Sequence, residues 1–178
     1  LSSFYFDIRK DTLYCDPIDS EKRKSVIILL NVLLNSLLKW FAPILSFTTE
    51  EIYQLVFRKK TSVHLEKFSK FPKNFENLEL KKKWDELIKI RDICNISIEE
   101  KRSKKIIGSS LEAALTIQLD KKSLNLIKDI DLSEICITSS VEIKGDALNE
   151  IKVHTKKAEG ERCPVCWKIS MSPCKRHS

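Results

Sequence analysis

Four soft or borderline ligands crowd the end of this chain of 178 residues, in "CPVCWKISMSPCKRH", as Cys163-x-x-Cys166 and Cys174-x-x-His177 with seven residues between the pairs. A C-x-x-C turn aims two thiolates at one centre, and a second pair at the same spacing completes a tetrahedron around Zn²⁺. With no carboxylate in the set, zinc is selected over Mg²⁺ or Ca²⁺. All four positions are filled by protein, so the expected site is structural, with no open position for catalysis. Extended backbone spans about 3.5 Å per residue, enough for the spacer to close the site. A segment this short cannot bury a core, and one zinc ion would supply most of its folding free energy. The competing reading is that one or more ligands is incidental, His177 first among them because it stands next to the last residue.

Charge sharpens the expectation. The net charge is +7, yet residues 151–178 alone hold seven basic and two acidic side chains. Arg162, Lys168, Lys175 and Arg176 surround the metal motif, and Trp167 follows its second cysteine. Cations fixed beside an indole suit phosphate contact with stacking on an unpaired base. The plainer role of Trp167 is apolar cover for a small metal loop. A solvated basic face accounts for the charge equally well.

The chain opens on Leu1 with no signal-peptide pattern, and its sole methionine is Met171. It is therefore expected to belong to a longer polypeptide. Cys15, Cys94 and Cys136 lie singly in regular segments, where a free cysteine acts as a small hydrophobe. That usage fits a cytoplasmic protein and no disulfide framework.

Three glycines and five prolines favour long helices. The run "SVIILLNVLLNSLLKWFAPILSF" raises a membrane span, but Asn31, Asn35, Lys39 and Pro43 would be costly in hydrocarbon. It reads instead as a nearly fully buried core helix, capped by Asp19 or Ser20 and broken near Pro43. Thr48 and Glu51 have the spacing of a capping box for a short helix to about Arg58. Leu80, Trp84, Leu87, Ile88, Cys94 and Ile98 recur at threes and fours, which predicts a long amphipathic helix from about Leu78 to "KRSKK". After Gly108, "ALTIQL", "ICITSS" and "VEIKG" read as strands, with a small helix in "DKKSLNLIKDI". The fold expected is mainly α: a helical bundle over residues 1–107, a small α/β junction over 108–157 and a zinc knuckle over 158–178.

Trp40 and Trp84 are expected in the core. Arg91, on the apolar stripe of the long helix, fits an ion pair at the core edge with a buried stem, or a contact to RNA. Lys101 and Arg102 suit either the helix C-terminus or a nucleic-acid backbone. His64 and His154 have no nucleophile or carboxylate pair nearby and build no triad.

Together "SSFYFDIRKDTLYCD", "LLKWFAPILSFTTEEIY", "KIIGSSLEAALTIQL" and "AEGERCPVCW" with its following C-x-x-H resemble the C-terminal portion of bacterial isoleucyl-tRNA synthetases, in that family's order. The resemblance covers the whole chain; "IGSSLEA" and the zinc motif discriminate most, while the apolar helix alone fits valyl or leucyl relatives. It implies a helical anticodon-binding domain, a junction, a zinc-binding end and tRNA(Ile) as partner. It also implies upstream catalytic and editing domains, a monomer and no membrane association. His177 stands where the family usually carries a fourth cysteine, and the loop between ligand pairs is shorter. The family's HIGH and KMSKS type motifs, which handle ATP, have no counterpart here, so these residues alone are not expected to catalyse. A stand-alone zinc-stabilised nucleic-acid-binding module remains the alternative.

Overall fold

The computed structural model describes residues 2–58, 61–145 and 151–177. A π-helical stretch, Ser2–Phe6, runs into α1 (Asp7–Cys15), followed by α2 (Glu21–Phe41), α3 (Ser46–Phe57) and α4 (Leu78–Ser103). Then come β1 (Ala113–Leu119), α5 (Lys121–Ile127), α6 (Leu132–Ile135), β2 (Ser140–Gly145), β3 (Lys152–Lys157), β4 (Glu161–Arg162) and β5 (Ile169–Ser170). These form two compact units, one of Leu1–Asp11 with Asn77–Ser178, the other Thr12–Glu76.

In the first unit α4 is started by Asn77, whose Oδ1 accepts from the Leu80 amide at 2.9 Å. Leu87, Ile90, Cys94 and Ile98 form its buried stripe. They pack with Leu115, Ile117 and Leu119 of β1 in one apolar core. The core forms because β1 is the middle strand: it pairs parallel to β2 and antiparallel to β3, with Ile117 opposite Ile143 and Val153. Parallel pairing requires a crossover, which α5 and α6 supply between β1 and β2. Ser97 of α4 and the buried Thr155 of β3 satisfy each other's hydroxyls at 2.7 Å. Trp84, as expected, packs against this core and meets Phe4 edge-on at 6.0 Å. The segment "ICITSS" does not form a strand: α6 takes Ile135, a turn follows, and pairing resumes at Ser140. Asp131 decides this locally, because its Oδ1 caps α6 by accepting from the Ser133 amide at 2.8 Å.

In the second unit Ser20 caps α2, which stops at Phe41 just before Pro43. Leu38 and Ala42 pack with Tyr53 of α3 and Val63. Glu50 ties the chain back by accepting from Ser62 Oγ at 2.7 Å and the Val63 amide at 2.9 Å. Lys39, its stem nearly buried, reaches Glu66 at 3.6 Å. Two expectations need correcting. Only Val26, Ser36 and Leu38 of α2 are buried, while Ile28 is 64% and Trp40 56% exposed. With α3 and a short turn as its packing elements within the unit, α2 covers one stripe and leaves the rest open. The helix is also long and apolar enough, by length and composition, to cross a membrane. The capping box at Thr48 does not form either: α3 starts two residues earlier, at Ser46, without a side-chain cap. Thr49 Oγ1 instead bonds back to the Leu45 carbonyl at 2.9 Å.

Candidate metal centre

The terminal module begins with a forced backbone conformation. Gly160 has φ of +116°, and a Cβ there would lie 2.2 Å from the Ser170 carbonyl oxygen. That close approach lets β4 and β5 pair, Arg162 opposite Ile169. Between the strands a tight turn carries the first ligand pair. The Cys163 amide donates to the Lys168 carbonyl at 2.9 Å, and the Trp167 amide to the Cys163 carbonyl at 3.0 Å. Trp167 closes the turn in the left-handed region, at φ of 63°. The second pair sits on its own turn, closed by the His177 amide donating to the Cys174 carbonyl at 3.0 Å.

The two turns bring the four ligand atoms within 4.8 Å of one another. His177 Nδ1 lies 3.4 Å from both Cys163 Sγ and Cys174 Sγ, and Cys166 Sγ lies 3.8 Å from Cys174 Sγ. A tetrahedron with arms of about 2.3 Å to sulfur and about 2.0 Å to nitrogen has S–S edges of about 3.8 Å and S–N edges of about 3.5 Å. The three edges Cys163–His177, Cys174–His177 and Cys166–Cys174 match these lengths, and the cluster is one that could hold a metal ion. Cys163 and Cys166 are buried, while Cys174 and His177 are half-buried, so solvent reaches the site from the carboxyl-terminal turn. The backbone amides of Cys166 and Val165 donate to the Cys163 sulfur, which brings its thiol down to about 6. Burial pushes the Cys166 thiol up to about 11, with the neighbouring thiols adding to the effect. A cation at the centre would offset that burial by stabilising both thiolates together.

The basic residues around the motif are mostly engaged with this same unit. Arg162 pairs with Glu112 at 2.9 Å. Lys168 donates to Ser133 Oγ at 3.2 Å, and Arg176 grips Asp11 through its carboxylate at 2.6 Å and its carbonyl at 3.2 Å. Lys175 and Trp167 are exposed, Trp167 at 60%, and Val165 and Met171 of the same module are also open to solvent. Arg91 stays with the core edge, donating to the Ile135 carbonyl at 3.0 Å and lying 5.3 Å from the Phe4 ring centre. Arg102 pairs with Glu99 three residues earlier in α4, and Lys101 is half-buried in the same last turn. His64 and His154 are both exposed.

Spacing alone announced the cluster of Cys163, Cys166, Cys174 and His177. It did not announce the carboxylates and hydroxyls that hold the module down, namely Asp11, Glu112, Ser133 and Ser139. Each is an ordinary surface residue until the tertiary fold delivers it, and Ser139 Oγ does so by accepting from the Ile169 amide at 2.6 Å.

Residues 1–118 match the model of the anticodon-binding domain of tRNA ligases. The chain belongs to that family. Along its full length it is 61% identical to an isoleucine–tRNA ligase of Pelagibacter ubique, of which it covers 20%. It is 42% identical over 97% of its length to one from Bradyrhizobium diazoefficiens, covering 18% of that protein. A third, from Agrobacterium fabrum, is 39% identical over 96% of this chain. The chain thus spans about a fifth of the length of the relatives it matches. The anticodon-domain match runs through α4 and most of β1, whereas the ligand cluster lies beyond it and shares in the full-length likeness alone.

Proposed function

We propose that this chain is the tRNA-binding end of an isoleucine–tRNA ligase, a cytoplasmic enzyme that attaches isoleucine to tRNA(Ile) using ATP. The observation that carries this is the anticodon-domain match over residues 1–118 combined with likeness to isoleucine–tRNA ligases along the whole chain. That continuity disfavours a stand-alone nucleic-acid-binding module. On this reading residues 1–107 form the anticodon-binding part, 108–157 a junction and 158–178 the metal module. ATP and amino-acid chemistry belong to the remaining length of the polypeptide, which acts as a monomer. The ion is Zn²⁺, because three thiolates and one imidazole in a closed tetrahedral set suit it best.

Within the module, RNA contact falls first to Trp167 and Lys175. An exposed indole on a rigid turn stacks an unpaired base at little entropic cost, and an exposed ammonium meets the backbone phosphate. Arg162, Lys168 and Arg176 act in a second way, by holding the module that presents this surface, and Arg91, Lys101 and Arg102 add field toward phosphate. The test is competition binding to the full-length enzyme with tRNA transcripts that differ only in their anticodon. The cognate anticodon should compete at least about tenfold better, a gap of about 1.4 kcal/mol. Equal competition by all transcripts would refute the reading.

A further inference from the structure

The contacts of the metal module close a ring. From the Cys174–His177 turn, Arg176 reaches Asp11 of α1. Two residues earlier on α1, Arg9 pairs with Glu134 of α6, both side chains largely buried. The residue before Glu134 is Ser133, whose hydroxyl accepts from Lys168. Lys168 in turn belongs to the Cys163–Cys166 turn, its carbonyl accepting from the Cys163 amide. The gap between the two ligand turns is the one link left, and a metal ion would bridge it.

We propose that metal binding holds the first part of α1, Asp7–Asp11, in place through this ring, so that the centre is a conformational clamp on the start of that helix as well as a local staple. A nine-residue helix has little stability of its own and depends on tertiary contacts. A π-helical stretch leads into it, in place of a capped first turn. Ile8 is buried, and Arg9 and Asp11 fasten the first part of α1, residues 7–11, to α6 and to the metal turn of the same unit. Arg176 is the sensitive joint. It lies between two ligands, so any loosening of the turn moves its guanidinium away from both Asp11 oxygens it contacts. Arg176 and Asp11 are positioning residues here, since neither donates to the ion.

The clamp depends on the metal reading of the four ligands, and zinc stoichiometry measured on the same samples separates failure of that reading from failure of the clamp. Hydrogen exchange of the full-length enzyme should show α1 amides exchanging about fivefold faster after chelation, together with residues 161–177, while the middle of α4 is unchanged. Arg176→Gln should reproduce the effect in α1 with one zinc retained per chain, and Asp11→Asn, far from the ligands in sequence, should do the same. Unchanged α1 exchange in both variants at full zinc occupancy would overturn the clamp. So would protected α1 in enzyme purified without any metal.

Discussion

Gly160 sets the tightest steric demand of the small terminal module. At Gly160 only hydrogen fits, because the β4–β5 hairpin brings the Ser170 carbonyl within 2.2 Å of where a Cβ would stand, at a positive φ as well. Gly160→Ala should cost at least about 2 kcal/mol and separate the hairpin, seen as lost protection at residues 161–170 and weaker metal retention. A variant that holds zinc normally would contradict that geometry. Glu50 offers a pH-dependent counterpart in the other unit. Hydrogen bonds from Ser62, then Gln54 and the Val63 amide, hold its carboxyl below the usual 4.5. Because its pKa is lower when folded, its contribution is full above the ordinary carboxylate value and fades as pH falls through the depressed one. Exchange at the Val63 amide should therefore accelerate, beyond its intrinsic rate, as pH drops below about 4.5, and Glu50→Gln should flatten that dependence. The cluster of Cys163, Cys166, Cys174 and His177 was legible in the sequence, and so was the α2 cap as Asp19 or Ser20, because each is a local rule of spacing. Asp11 and Glu50 were not, since their partners lie across the fold or across a turn without a regular period.

The C-terminal end of α4 shows how an element can obey its rules and still carry strain. The Lys105 amide donates to the Arg102 carbonyl and the Ile106 amide to the Lys101 carbonyl, which is the two-bond closure that ordinarily places glycine in the left-handed position. Here Lys105 occupies it, at φ of 55°. Lys105→Gly should therefore stabilise the unit by about 0.5–1 kcal/mol, the relief of left-handed strain exceeding the added freedom of the unfolded chain. Thermal unfolding monitored by circular dichroism would check it, and a lower midpoint would show that the lysine side chain is needed there. At the centre of the sheet Ile117 is fully buried, and Ile117→Ala should cost about 3 kcal/mol by leaving a cavity between β1 and α4. The period of α4 and the apolar run of β1 made both elements readable. The helix α2 misled because a run apolar on all sides reads as buried, whereas its burial is set by how many elements surround it.

On the scale of the whole molecule, the net charge of +7 overstates the freely available cation. Arg162 and Arg176 of the terminal module face carboxylates, so the surface open to RNA is narrower than composition implies. Lys175→Ala should weaken tRNA binding and lower the log–log salt slope by about 0.7–0.9, the share of one phosphate contact. Arg162→Ala should leave the slope nearly unchanged while reducing stability by about 1 kcal/mol or less. Filter binding across salt concentrations distinguishes the two, and equal slopes for both variants would contradict the assignment. Family, metal motif and mainly helical character could be read from residues in a row; the internal pairing of charges could not, because it depends on folded distance.

The most direct measurement is zinc-edge X-ray absorption on the freshly purified full-length enzyme. One zinc per chain is expected, with three sulfur neighbours at about 2.3 Å and one nitrogen at about 2.0–2.1 Å, and Cys166→Ser should abolish that signature. Absence of zinc, or a shell dominated by oxygen and nitrogen, would contradict a centre built by Cys163, Cys166, Cys174 and His177.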